Sequence, residues 1–232
     1  ILRYDIRFNI WFWNWINSWS YVLDNQEKRV DTIKPILCLI AVGDKYTPYI
    51  PLSIKKLLKK YNLCILTSIP LPLYGVLDQE IYTSKIFTYF AKLTFCIRMA
   101  LKHKRGVYYC DINRLEELDK LSVNNDGAFY YLRHWPIAKY FRELEQVQYW
   151  RKLIWFWIDR KYDYKRLTTI EEHAFYLPYS DKLNKLEYVV EEIKPIFEYT
   201  SLTNENPYNA IGNGEGLALS YALDVCNINK QI

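Results

Sequence analysis

The 232-residue chain is 50% hydrophobic and 25% charged, which is enough apolar surface for a full core and too much for a disordered segment. Its net charge of +5 is interspersed with acidic residues rather than gathered into a tail, which argues against a nucleic-acid arm, and no uncharged apolar run reaches the roughly 18 residues that span a bilayer. The cysteines Cys38, Cys64, Cys96, Cys110 and Cys226 stand far apart with no Cys-x-x-Cys pair, so free thiols, a reducing and therefore cytoplasmic compartment, and no zinc site are expected.

Residues 1–34 form a separate extension in which Trp11, Trp13, Trp15 and Trp19 crowd together. A helix there is apolar almost all round and must pack on something: the body of the chain, a protein partner, or a membrane surface, where Trp favours the interface. The body, residues 35–226, opens with the apolar run Pro35-Ile-Leu-Cys-Leu-Ile-Ala-Val42, which lacks alternation and so fits a strand covered on both faces. Ile54, Leu57, Leu58 and Tyr61 at helical spacing predict a helix over 51–61, and the next apolar run predicts a strand over 63–67, giving a β-α-β unit.

Pro70 and Pro72 mark a loop, a helix is expected over 83–102, and Gly106-Val-Tyr-Tyr-Cys110 reads as a strand followed by a short helix over 114–121. Asn124-Asn-Asp-Gly127 is a turn signature feeding a strand over 128–132. An amphipathic helix is expected over 136–148 and an aromatic continuation over 150–157. The span 171–177 stays ambiguous, 181–193 reads as helix, 196–199 as a late strand, 204–216 as loop, 215–225 as a closing helix, and 227–232 as a tail. The pattern predicts an α/β fold built on an open, twisted, mostly parallel sheet flanked by helices.

Asp111 and Asn113 follow the 106–110 strand two residues apart. On an extended chain both side chains fall on one side, and oxygen ligands of this kind suit a hard cation such as Mn2+ or Mg2+ together with diphosphate oxygens. The plainer alternative for Asp111 is a helix N-cap. Turn chemistry is enough to explain Asp126. There is no Gly-x-x-x-x-Gly-Lys-Ser/Thr, Gly-x-Gly-x-x-Gly or Gly-x-Ser-x-Gly, which argues against P-loop, dinucleotide and α/β-hydrolase chemistry.

The succession of the 36–42 strand with Gly43-Asp-Lys-Tyr46 behind it, Phe90-Ala-Lys92-Leu, Gly106 to Asn113, and Gly214-Glu215-Gly-Leu-Ala-Leu-Ser-Tyr-Ala-Leu223 resembles glycosyltransferases of the GT-A fold, in the glycogenin-like and galactosyltransferase-like groups. The resemblance implies a GT-A-like sheet and a nucleoside diphosphate sugar as donor. Asp111 is then the metal ligand, with Asn113 in place of the more usual second Asp of an Asp-x-Asp motif. Tyr46 flanks the nucleotide base, Lys92 holds donor phosphate or sugar, and Glu215 is the carboxylate that serves the acceptor as general base or as a binding group. For Tyr46 and Lys92 the plain alternatives are a surface tyrosine and a solvated lysine; for Glu215 it is a helix N-terminal acid favoured by the dipole.

The function expected from these readings is transfer of a sugar from a nucleoside diphosphate to a glycan or protein acceptor. The alternative is a non-catalytic relative that docks into a larger assembly through its Trp-rich amino-terminal segment, because Asn113 removes one negative charge from the metal motif.

Overall fold

Burial along the first apolar run explains the centre of the molecule. In the computed structural model, which describes residues 34–42, 49–68, 70, 75–83, 91–124, 126–136, 148–203 and 215–232, the run after Pro35 forms β1 (Ile36–Ala41) with all of its residues buried. A strand buried on both faces needs an unbroken apolar sequence, and this is what the run supplies. The Trp-rich segment 1–33 and residues 43–48, which include Tyr46, lie outside the described residues.

The strands form one seven-stranded sheet, in the order β3-β2-β1-β4-β8-β5-β9, and a separate pair β6-β7. The sheet is mostly parallel and helices flank it: β1 with β2, β2 with β3, and β5 with β9 run parallel, while β5 and β8 are antiparallel. The chain divides into two compact units, residues 1–85 with 108–115 and residues 86–107 with 116–232.

In the first unit, α1 (Tyr49–Lys60) buries Ile50, Ile54 and Leu57 and exposes Lys55, Lys56, Lys59 and Lys60, the amphipathic pattern expected from the sequence. Lys59 and Lys60 in its last turn complement the helix dipole. β2 (Asn62–Thr67) then pairs with β1 from Ile36↔Asn62 to Ala41↔Thr67. The joint is fastened by side chains: Lys34 Nζ donates to the Leu58 carbonyl at 3.0 Å and Asn62 Nδ2 donates to the Lys34 carbonyl at 2.9 Å. β3 (Asp78–Ile81), which the proline loop masks in the sequence, is a partly exposed edge strand on β2. β4 (Val107–Cys110) is β1's other neighbour.

In the second unit, α2 (Ala91–His103) is buried nearly all round rather than along one stripe, which explains its run of Leu93, Phe95, Cys96, Ile97 and Met99. A 3-10 helix covers Leu115–Lys120, close to the helix expected at 114–121. β5 (Phe129–Tyr131) follows the Asp126-Gly127 turn, and β6 (His134–Pro136) pairs with β7 (Thr168–Ile170). Pro136 closes β6, a place Pro can occupy because this pair is only two strands wide, and residues 137–147 of the helix expected over 136–148 lie outside the described residues.

The aromatic stretch forms α3 (Gln148–Asp159), and β8 (Ala174–Leu177) settles the ambiguous span as strand. α4 (Leu183–Thr203) runs straight through Pro195 and includes 196–199, where the β-prone Ile-Phe-Glu-Tyr sequence suggested a strand. Helical context overrides the weak strand propensity there, at the cost of the hydrogen bond that Pro cannot donate. α5 (Glu215–Val225) closes the body, and β9 (Lys230–Gln231) carries the tail onto β5, with Phe129 N–H donating to the Asn229 carbonyl at 2.8 Å.

Part of the aromatic content of the second unit is core, although Trp155, Tyr179 and Tyr188 are exposed. Trp157, fully buried, stacks on Tyr164 at 5.7 Å between ring centroids and lies 5.9 Å from Tyr221, while Phe129 stacks on Phe175 at 5.3 Å. Such pairs add about 0.5–1.5 kcal/mol each beyond the area they bury.

Candidate functional site

The carboxyl end of β4 is built by strand alternation. Tyr109 and Cys110 are buried, Tyr109 only 1% exposed, and the strand delivers Asp111 to a half-buried position just beyond its last residue. Tyr109 and Asp111, two apart, share a side of the chain, and the Tyr109 hydroxyl donates to Asp111 Oδ1 at 2.5 Å. A buried phenol needs a partner, and a carboxylate acceptor makes the bond charge-assisted.

Beyond Asp111 the chain does not stay extended. Arg114 N–H donates to the Asp111 carbonyl at 2.9 Å, closing a turn through Ile112 and Asn113, and the Cys110 thiol donates to the Arg114 carbonyl at 3.1 Å. Ile112 is buried and Asn113 exposed, so the two candidate ligands sit at the first and third positions of a turn instead of alternating along a strand. Burial of Ile112 and the turn's own hydrogen bond outweigh extension. The 3-10 helix begins four residues after Asp111, at Leu115, so Asp111 is not its N-cap.

The other expected site residues are placed one by one. Tyr46 lies outside the described residues. Lys92, in the second unit, is 7% exposed and has partners of its own, so it is not the solvated lysine that a surface helix would carry. Glu215 is the first residue of α5, and its side chain lies outside what is described. Gly216 beside it has a definite packing role: a Cβ there would stand 1.9 Å from the Ile170 carbonyl oxygen and 3.1 Å from Glu172 Oε2, so only glycine lets the start of α5 approach β7 this closely. Asp111 and Asn113 are the pair brought into one turn.

Asp126 is what turn chemistry predicts. Its Oδ1 accepts the Ala128 N–H at 3.0 Å, while Oδ2 accepts the Tyr130 hydroxyl at 2.8 Å and Gln231 Nε2 at 2.7 Å. These bonds, the Ala128 N–H first, hold its carboxyl below the ordinary 3.8.

For a cation, the corner offers one half-buried carboxylate and one amide side chain on a turn braced by its own hydrogen bonds. That donor set is hard and oxygen-only, and it matches the way Mg2+ or Mn2+ is held by one or two protein oxygens with substrate phosphates completing the shell. Among the described residues no group of three or more His, Cys, Asp or Glu side chains is arranged to hold a metal, so a cage made by protein alone is not what these residues build. All five cysteines are buried as free thiols, and no helix among the described residues is long and apolar enough to cross a membrane.

Tyr109 is the residue that motif reading passes over. The sequence offers only the two-residue spacing as a hint, because whether Asp111 stays on the face of Tyr109 depends on the chain remaining extended past Cys110. No protein-family model matches this chain, and no curated protein matches it either.

Proposed function

We propose that the chain is a nucleotide-sugar-dependent glycosyltransferase of the GT-A type, transferring a sugar from a nucleoside diphosphate to a glycan or protein acceptor. One observation carries this reading: a half-buried aspartate immediately follows β4, the strand beside which the order of the sheet reverses. From β1 the chain steps outward to β2 and β3, then returns to the other side of β1 as β4. In open α/β sheets the ligand crevice lies outside the carboxyl ends of the strands at such a reversal. Asp111 follows β4 directly, and the segment with Tyr46 follows β1.

Asp111 and the Asn113 amide oxygen are the residues that would hold Mn2+ or Mg2+. When bound, the ion supplies Lewis-acid neutralisation of the charge that develops on the departing nucleoside diphosphate. In this reading Lys92 is the residue that adds positive charge towards donor phosphate or sugar. Tyr46 flanks the base, and Glu215 receives the acceptor hydroxyl's proton or binds the acceptor.

The test is isothermal titration of the full chain with UDP and with GDP, with and without Mn2+. One nucleotide is expected to bind wild type in a Mn2+-dependent manner, and Asp111→Ala is expected to weaken that binding about 100-fold, or about 2.7 kcal/mol. If neither nucleotide binds wild type with Mn2+, the enzyme reading fails and an interaction role through residues 1–34 takes its place.

A further inference from the structure

We propose that the outward face of α3, with the basic turn that follows it, is a peripheral docking surface for an anionic lipid membrane. The surface lies wholly in the second unit and is independent of the glycosyltransferase reading. A helix on the outside of a globular protein keeps one apolar stripe for the core and turns polar residues outward. α3 departs from this pattern. Trp157 is fully buried, yet Trp155 is 63% and Ile158 45% exposed, and these two stand three positions apart, as neighbours on one helix face.

Charge singles out the same stretch. Residues 151–166 hold six basic residues, Arg151, Lys152, Arg160, Lys161, Lys165 and Arg166, against two acids, Asp159 and Asp163, a net of +4 where the whole chain carries +5. Lys161, Lys165 and Arg166 are exposed, and the 3-10 turn Tyr164–Arg166 is held against α3 by the stacking of Tyr164 on Trp157. Arg166 pairs with Asp163 at 3.0 Å, Arg160 with Glu192 of α4, and Lys194 with Glu191 at 3.1 Å, so much of the nearby acid is already neutralised. Asp159, exposed at the end of α3, opposes an anionic surface and is outnumbered by Lys161 and Lys165.

The chemistry of this face favours lipid over a protein partner. Two exposed apolar side chains fall far short of the roughly 800 Å2 that each side of a stable protein interface buries. A membrane requires no matching surface: an indole and an aliphatic chain enter the headgroup boundary, while lysine stems carry their charge to the phosphates beside them. Each basic residue close to an anionic leaflet strengthens binding about fivefold.

The test is flotation of the full chain with phosphatidylcholine vesicles containing about 30% phosphatidylserine, set against vesicles of phosphatidylcholine alone, at physiological salt. Wild type is expected to float with the anionic vesicles, to stay behind with the neutral ones, and to be released as salt is raised. The double variant Trp155→Ala, Ile158→Ala is expected to lower partitioning at least about tenfold while its urea midpoint stays near that of wild type, because neither residue is in the core. Lys161→Gln with Lys165→Gln, which leaves both apolar side chains in place, is expected to lower it about 25-fold.

The proposal is overturned if wild type does not float, if it floats equally with neutral vesicles, or if either double variant floats as wild type does. In the last case the membrane is held by another part of the chain, such as residues 1–34. Binding to a single-stranded oligonucleotide that both double variants abolish, without flotation, would make this a nucleic-acid surface instead. Should the alanine variant fold poorly, the lysine pair decides the matter, since both of its positions are exposed.

Discussion

Asp111, Asp126 and Asp224 each accept a tyrosine hydroxyl, and the two units use them differently. In the second unit, Asp126 joins a turn to β5 and the tail through Ala128, Tyr130 and Gln231, and Asp224 receives the Tyr162 hydroxyl at 2.8 Å on one oxygen and Lys230 Nζ at 2.5 Å on the other. Both carboxylates tie segments far apart in sequence, so their chemistry is absorbed by the fold. In the first unit, Asp111 takes its hydroxyl from two residues away on its own strand, a bond that closes no loop. Substitution of Asp126 or Asp224 should therefore change stability and leave nucleotide binding alone, whereas Asp111→Ala should weaken nucleotide binding as well as removing the acceptor of the Tyr109 hydroxyl.

The largest expected effect on the second unit is at Gly216. In Gly216→Ala the new methyl would meet the Ile170 carbonyl oxygen, which is backbone and cannot rotate away. Forcing α5 off β7 is expected to cost about 3 kcal/mol, the upper end for overpacking, read as a drop in the urea midpoint. Gly106 provides the comparison: a Cβ there would meet the Tyr176 side chain, at 2.1 Å from its hydroxyl and 2.6 Å from Cζ, so a side chain rather than the backbone has to give way and a smaller cost is expected. Equal costs at the two glycines would break the argument that Gly216 is kept by helix-to-strand packing.

Gly216 also shows how far the sequence could be read. Its place in Gly-Glu-Gly directs attention to the neighbouring carboxylate, whereas the requirement for glycine comes from a strand some 45 positions earlier, which no local pattern reveals. Where periodicity is strong, as in β1 and α1, expected and observed elements agree, because continuous burial and a lysine-flanked apolar stripe are local properties. β3 and β7 escaped notice because short, partly polar edge strands have no pattern apart from their partners. The 196–199 span was misread because helix α4 carries β-prone residues past a proline. At the site, the Asp-x-Asn spacing was legible, but the turn through Ile112 and the brace from Tyr109 depend on burial in three dimensions.

A smaller effect is expected from Asp224→Ala. Tyr162, whose phenol is pushed up by burial and by the Asp224 hydrogen bond, would lose its acceptor, and Lys230 would keep only the Ser220 hydroxyl at 3.0 Å among its described contacts. Removing the acceptor from a partly buried donor pair costs about 1–3 kcal/mol, and the partial exposure of Asp224 places the expectation near 1 kcal/mol. Urea denaturation measures it, and a loss of Mn2+-dependent nucleotide binding out of proportion to the loss of folded protein would erase the contrast between the units.

The smallest effect, and the one that distinguishes an anchoring carboxylate from an inert one, is the pH dependence carried by Asp126. Its folded value lies below the ordinary 3.8, so between the two values the unfolded chain binds more protons than the folded one. Stability then rises with pH across that window: the contribution is present above about 3.8 and disappears as pH falls through the lower folded value. Asp126→Asn retains an oxygen for the Ala128 N–H but carries no titrating proton. Plotted against pH, its urea midpoint should fall less steeply below 3.8 than that of wild type, with the curves parallel above it. Parallel curves throughout would mean that the bonds from Tyr130 and Gln231 are as strong to a neutral acceptor as to a charged one. Asp126 would then be a turn residue by shape alone.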